Sequence, residues 1–267
     1  MFGSSTHKLY QSNGYEYLNI KGKEPSPTFV FIHGMFGGLS NFDPLIDLLQ
    51  GASIYVPKIP LYEFKRSKLN IPMLGEWLRD FINIMNIQDP ILLGNSMGGH
   101  VVLEYTHKNP TKVWAQILTG SSGLLEYDFG SSFPRRKSRE YLKEKANMTF
   151  YEDLADEAIV DELVEVVNSR KKILSLLKLT RSTHAYSMED KLPQITQPTL
   201  LIWGKQDIIT PPKVARQFNR LLPHSTLEFI NHCGHAPMME RPESFYKLMN
   251  DFLHKINFNN HPKKHAS

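Results

Sequence analysis

A chain of 267 residues, 41% hydrophobic and 22% charged, has ordinary globular composition and is long enough to bury a large core in a single α/β domain. Its formal charge of +4, with no long basic stripe, gives no reason to expect a nucleic-acid partner, and no apolar run is long enough for a membrane span. The single cysteine, Cys233, excludes an internal disulfide, and Met1 to Gln11 has no apolar signal core, so a cytoplasmic protein is expected.

In chain order, Tyr15 to Ile20 reads as an early strand and Thr28 to Ile32 as a clearer one, entered through Pro25 and Pro27 and stopped by His33-Gly34-Met35-Phe36-Gly37-Gly38. Asn41 to Leu49 reads as a short helix and Ser53 to Val56 as a short apolar strand closed by Pro57 and Pro60. Ile71 to Met85 carries an apolar stripe at helical spacing, at positions 71, 74, 77, 78, 81, 82 and 85. Ile91 to Leu93 is a strand, His100 to His107 a helix, and Val113 to Leu118 the next strand. Between Gly123 and Pro193 strands disappear and charge rises. Helical stretches are expected there at Ser138 to Ala146, Tyr151 to Ala155 and Asp161 to Leu179. Strand–helix alternation returns with Thr199 to Trp203, Pro212 to Leu222, Leu227 to Ile230 and Pro242 to Ile256. The pattern predicts an α/β fold, a mostly parallel twisted sheet with helices on both faces, formed by 1–122 and 194–267, with 123–193 as an inserted helical cap. Ligand sites in such sheets lie at the carboxyl ends of the strands.

Four strand ends carry the chemistry. Gly94, Ser96 and Gly98 form a G-x-S-x-G between a strand and a helix, the setting of a nucleophile elbow. A serine on so sharp a turn takes a strained backbone, strand and helix pass close enough to require glycine, and the helix N-terminus faces any anion formed at the serine. The Gly-rich turn His33 to Gly38 can aim backbone N–H groups at an oxyanion, with the N–H groups of Met35 and Met97 as the expected donors. It lacks the G-K-[ST] ending of a phosphate loop. Asp207, after Thr199 to Trp203, can orient a histidine, and His235, in Asn231 to Pro237, can take and return a proton near neutrality. His232 is the competing base, and His33 is expected to shape its turn by hydrogen bonds.

The order Ser96, Asp207, His235, on the motifs H-G-M-F-G-G, G-N-S-M-G-G, W-G-K-Q-D-x-x-x-P and C-G-H-A-P-M-M-E-R-P, resembles the α/β-hydrolase superfamily from about Thr28 to the final helix. The last two motifs resemble those of small carboxylesterases and carbon–carbon bond hydrolases. The resemblance implies Ser96 as nucleophile, His235 as general base, Asp207 as orienting acid, Met35 and Met97 as oxyanion donors, and the helical insertion as a cover over the site. Carbon–carbon hydrolases of this type usually carry a longer H-G-[GS]-G-P-G turn, which His33 to Gly38 is not, and this favours a simple ester. Ser96 argues against the related dehalogenases and epoxide hydrolases, whose nucleophile is an aspartate.

Elsewhere the plainer readings prevail. His100 is expected to be a packed histidine and Cys233 an inert thiol, and Arg135, Arg136, Lys137 and Arg139 a solvated cap surface. Phe36 and Met238 are the expected substrate contacts, since they adjoin the site motifs. No histidine or cysteine cluster has metal-ligand spacing, and neither metal nor cofactor is expected. The expectation is a monomeric or homodimeric serine hydrolase acting on a small-molecule ester, with carbon–carbon or amide hydrolysis on the same triad, or a ligand-binding receptor on this fold, as alternatives.

Overall fold

Alternate residues of the central strands point to opposite faces of one sheet, and both faces are apolar. The structure, a computed structural model, describes residues 7–23, 26–124 and 138–256. Eight strands, β1 (Leu9–Ser12), β2 (Tyr15–Ile20), β3 (Thr28–Ile32), β4 (Ser53–Pro57), β5 (Ile91–Asn95), β6 (Ala115–Thr119), β7 (Thr199–Gly204) and β8 (Ser225–Ile230), form one sheet in the order β1-β2-β4-β3-β5-β6-β7-β8. The pairs β1–β2 and β2–β4 are antiparallel and the remaining pairs parallel.

On one face Val30, Ile32, Leu92, Leu118, Leu201 and Trp203 meet α2 (Ile71–Ile84), α3 (Met97–Lys108) and α7 (Pro212–Leu221) in a single cluster. On the other, Phe29, Phe31, Leu93, Ile117 and Ile202 pack with α1 (Asp43–Ile46), α8 (Pro237–Glu240) and α9 (Pro242–Lys255). Strands covered on both sides read as continuous apolar runs, which is how β5 and β7 stand out in the sequence. The α2 stripe is buried as the spacing predicts, and Asn70 caps the helix, its side chain accepting from the N–H of Met73.

β1 is a strand that the apolar pattern did not announce, because all four of its residues are exposed. It turns into β2 through Asn13 and Gly14, at φ 51° and 80°, an Asn-Gly pair suited to a two-residue hairpin. Asn41 to Leu49 is shorter than expected, a 3-10 turn at Leu39–Phe42 followed by α1.

Between β6 and β7 the described residues hold no strand but three α-helices, α4 (Arg139–Asn147), α5 (Glu157–Asn168) and α6 (Arg170–Ala185). Asp161 to Leu179 is therefore two helices, broken where the Ser169 hydroxyl accepts from the N–H of Lys172 and caps α6. Tyr151 to Ala155 is not helical. Its N–H groups are taken elsewhere, that of Tyr151 by Glu240 and that of Ala155 by the side chain of Asn147. Arg139 pairs with Glu157 and Asp161 on a solvated surface. Arg135, Arg136, Lys137 and the tail from Asn257 lie outside the described residues. Helix α6 is tied to the sheet domain where the Ser182 hydroxyl accepts from the N–H of Ile71, 3.1 Å away. No helix among the described residues is long and apolar enough to cross a membrane.

Candidate active site

The turn between β5 and α3 places Ser96 at φ 57° and ψ −123°. A non-glycine residue holds such a conformation only when its surroundings impose it. They do so through both peptide groups. The N–H of Ser96 donates to Thr119 O at 3.0 Å, and its carbonyl accepts from Gly99, His100 and Ser122. A Cβ on Gly94 would come 2.6 Å from Gly98 O, and one on Gly98 would drive into the main chain of Ile32 and His33, 2.7 Å from His33 O. Only glycine lets the helix start this close to two strands. Asn95 and Met97 are buried, and Ser96 is left partly accessible between them. The N–H groups of Met97 and Gly98, in the first turn of α3, have no intrahelical acceptor.

The turn after β3 lies against this elbow. A Cβ on Gly34 would sit 3.2 Å from Ser96 Cβ, and the N–H of Gly37 donates to Gly34 O, closing a tight turn with Met35 and Phe36 at its tip. His33 shapes the turn, as the sequence suggested. Its Nδ1 lies 2.8 Å from Gly34 O and its Nε2 accepts from the N–H of Ile59 at 3.0 Å, which assigns the proton to Nδ1. Burial lowers its pKa to about 4. A ring committed at both nitrogens has no free basic site to offer a serine.

Asp207 and His235, 28 residues apart, meet at 2.9 Å between Oδ2 and Nδ1. Both are buried. Asp207 accepts on every side. Oδ1 takes the N–H groups of Ile209 and Thr210, and Oδ2 takes the Thr210 hydroxyl at 2.8 Å as well as the imidazole. The Thr210 hydroxyl is also 3.3 Å from His235 Nδ1. The His235 ring lies on the main chain just after β6, where a Cβ on Gly120 would be 2.7 Å from Nδ1. Gly120, at φ 53°, is thus both left-handed and in close approach, and it follows the Thr119 carbonyl that holds Ser96. With Asp207 on Nδ1, Nε2 is the nitrogen left for a reacting group.

Three supporting residues were missed in the sequence. Asn95 donates through its side-chain amide to Thr119 O and to His235 O, both at 3.1 Å. Gln206 receives the N–H of Cys233 at 3.1 Å and returns its own N–H to Cys233 O. Thr210 is the third. Asn95 and Gln206 sit directly before Ser96 and Asp207, so adjacency to the motifs was the available signal.

The remaining candidates separate clearly. His232 is exposed, its Nδ1 3.1 Å from the Tyr151 hydroxyl rather than against Asp207. His100 is buried, 3.3 Å from the Ser122 hydroxyl and stacked on Tyr186, and burial lowers its pKa to about 3. Cys233 is buried, which pushes its thiol pKa up and keeps the weakly nucleophilic protonated form. Phe36 is 61% exposed at the turn tip, whereas Met238 is fully buried in the cluster with Phe42, Leu45 and Phe245, a packing position. Met35 is partly buried, and its sulfur accepts from the Thr180 hydroxyl of α6 at 3.5 Å. Among the described residues no group of three or more His, Cys, Asp or Glu is placed to hold a metal ion.

A solved α/β hydrolase enzyme from the metagenome of sediments of the Mar Chica lagoon, Morocco, superposes with a TM-score of 0.78 at 36% identity, over 94% of this chain and 100% of that one. A 2-hydroxy-6-oxononadienedioate/2-hydroxy-6-oxononatrienedioate hydrolase of Cupriavidus pinatubonensis is 28% identical over 70% of this chain and 68% of its own length. Monoacylglycerol lipase abhd6-B of Xenopus laevis is 28% identical over 65% of this chain, which spans 57% of that protein. The family model described as serine aminopeptidase, S33, matches residues 23–242. That match covers most of the chain, and with the mostly parallel sheet and its helices on both faces it settles the family: the chain is an α/β hydrolase of the serine aminopeptidase S33 family.

Proposed function

We propose that the protein is a serine hydrolase cleaving small to medium acyl esters, with Ser96 as nucleophile, His235 as general base and Asp207 as the acid that orients it. The observation that carries this reading is the buried 2.9 Å bond from His235 to Asp207, beside a serine held at positive φ on the same strand ends. In the first step Ser96 Oγ attacks the ester carbonyl while His235 Nε2 takes its proton. The oxyanion is met by the N–H groups of Met35 and Met97, and the alcohol leaves as His235 returns the proton to it. In the second step His235 takes a proton from water, the resulting hydroxide equivalent attacks the acyl-enzyme, and Ser96 recovers its proton as the acid departs. Asp207 holds the imidazole tautomer and balances the positive charge that forms on it. The reaction as written calls on neither metal nor cofactor.

The segment 123–193 acts in this reading as a cap that governs which acyl groups enter, consistent with the contact of α6 on Met35. The lipase relative acts, by its name, on a monoacylglycerol, an ester, and this supports the bond type. The dienedioate hydrolase relative makes a vinylogous diketone the informative competitor, and the family description makes an amide the second. The test is turnover of p-nitrophenyl acyl esters beside both competitors, with fluorophosphonate labelling of Ser96. Ser96→Ala is expected to abolish labelling and to lower kcat by a factor on the order of 10⁶. Labelling of that variant at another residue, or no turnover of any ester by the unmodified protein, would remove the assignment.

A further inference from the structure

The loop that carries His235 is held by individual hydrogen bonds rather than by a sheet or a long helix. The N–H of His235 donates to Thr149 O at 2.7 Å. On either side, the N–H of Gly234 reaches both carboxylate oxygens of Glu240, at 3.0 and 2.9 Å, and the N–H of Ala236 reaches Oε1 at 3.2 Å. Oε2 of the same carboxylate accepts from the N–H of Tyr151 at 2.8 Å. Glu240 is only 6% exposed. One buried side chain therefore gathers N–H groups from two stretches of chain far apart in sequence, the histidine loop and the connection between α4 and α5.

Further contacts bring the same two stretches together. A Cβ on Gly234 would lie 2.7 Å from Thr149 O and 2.9 Å from Phe150 C and Tyr151 N, so the two main chains touch. Arg241 donates to Glu152 Oε1 at 2.7 Å and to Glu240 O at 2.8 Å. The segment expected only to cover the site is thus bonded to the loop that carries the base.

We infer that Glu240 is a positioning residue for His235, joining its loop to residues 149–151 so that the seating of that segment sets the imidazole against Asp207. The inference rests on His235 being the base, as proposed above. Glu240 acts through the main chain. The peptide groups flanking His235 fix the direction of its Cα–Cβ bond, and with it the line from Nδ1 to Asp207. A displacement of about 1 Å at a reacting group lowers rates on the order of a hundredfold. Glutamine cannot replace the carboxylate here, because its amide NH₂ would face an N–H donor and leave it without an acceptor.

The test uses the full chain and p-nitrophenyl butyrate. Glu240→Gln is expected to lower kcat by about ten- to a hundredfold with KM within about threefold, the sign of lost alignment rather than lost binding. Amide hydrogen exchange of Tyr151, Gly234 and Ala236 should quicken together while the amides of β5 stay protected. His235→Asn supplies the decisive comparison. If Glu240 acts only through His235, adding Glu240→Gln to His235→Asn lowers kcat no further. Unchanged kcat in Glu240→Gln, or a full additional loss in the double variant, would overturn the inference. Should Glu240→Gln fail to fold, Glu240→Asp, which keeps the charge and withdraws it by one methylene, is measured in its place with the same outcomes. Unimpaired ester turnover by His235→Asn alone would instead remove the underlying assignment of the base.

Discussion

The side-chain amide of Asn95 donates to the carbonyl oxygen of His235, so the residue that precedes the candidate nucleophile holds the main chain of the candidate base. The same amide reaches Thr119 O, whose other donor is the N–H of Ser96. Elbow, histidine loop and the end of β6 are thereby pinned at one buried point. Asn95→Ala removes the donor from His235 O, and losing one partner of a buried hydrogen bond costs about 1–3 kcal/mol. Urea unfolding should register a loss of that size, and ester kcat/KM should fall roughly tenfold, about 1.4 kcal/mol in the barrier. Asn95→Asp should be worse in both measurements, since it turns a carboxylate oxygen toward two carbonyl oxygens.

Gly98 and Gly38 should respond very differently to the same added methyl. At Gly98 a Cβ would be 2.6 Å from Ile32 C and 2.7 Å from His33 O, main-chain atoms that cannot rotate away. Gly98→Ala must push α3 off β3 and is expected to lose at least about 3 kcal/mol of stability, the upper range for overpacking. At Gly38 the nearest atom is the Ser40 hydroxyl, 3.9 Å away, and φ is −117°. Gly38→Ala should stay within about 0.5 kcal/mol of the unmodified protein in the same urea titration.

These glycines also mark how far the sequence alone could reach. Gly94 and Gly98 around Ser96 announce a close crossing because only one residue type survives there, and the apolar runs of β5 and β7 announce a sheet covered on both sides. Asp207 and His235 stood at strand ends where a parallel sheet presents its ligand site. Their surroundings were only partly readable: Thr210 bonds Asp207 three residues before it, whereas Gln206 meets Cys233 and Glu240 meets Tyr151 only once the chain has folded. The exposed β1 has no apolar face for a pattern to show. Tyr151 to Ala155 resembles a helix in composition, but its N–H groups go to Glu240 and Asn147, and no local rule predicts a partner 89 residues away. Met238 adjoins a site motif in sequence, yet α8 turns it into the core.

His33 should make stability fall in mild acid. Its pKa is 6.5 in an ordinary setting and about 4 in the folded protein, where burial and, to a lesser degree, Lys58 disfavour the charged ring and only the bond to Gly34 O favours it. Above pH 6.5 the ring is neutral in both states and its full contribution is present. Between about 6.5 and 4 the unfolded chain takes up a proton that the folded chain declines. Stability then drops by up to about 1.4 kcal/mol per pH unit, levelling off below 4 after a total on the order of 3 kcal/mol. His100 acts in the same direction over a wider window, so the comparison must be with a variant. Urea unfolding of His33→Gln across pH 4 to 7 should show a shallower dependence than the unmodified protein, the two lines differing by about one proton. Parallel lines would mean that His33 takes up its proton as readily in the fold as in the unfolded chain.

Thr210 should matter to turnover through Asp207 without touching substrate. Its hydroxyl donates to Asp207 Oδ2, the oxygen that also accepts from His235, and its N–H donates to Oδ1. The carboxylate is therefore fixed at both oxygens, and its plane is set before the histidine arrives. Thr210→Val keeps the shape and the backbone bond and removes only the hydroxyl. Oδ2 would then be oriented by the imidazole alone, and a carboxylate held by the main chain only at Oδ1 seats the ring less firmly. The expected result is a kcat lower by roughly tenfold, about 1.4 kcal/mol, with KM little changed. Thr210→Ser restores the donor while giving up the methyl, so it should recover most of kcat even if it is the less stable of the two in urea. That crossing of activity and stability is the measurement that counts. If Thr210→Ser and Thr210→Val were equally slow, the methyl and not the hydroxyl would be what supports Asp207.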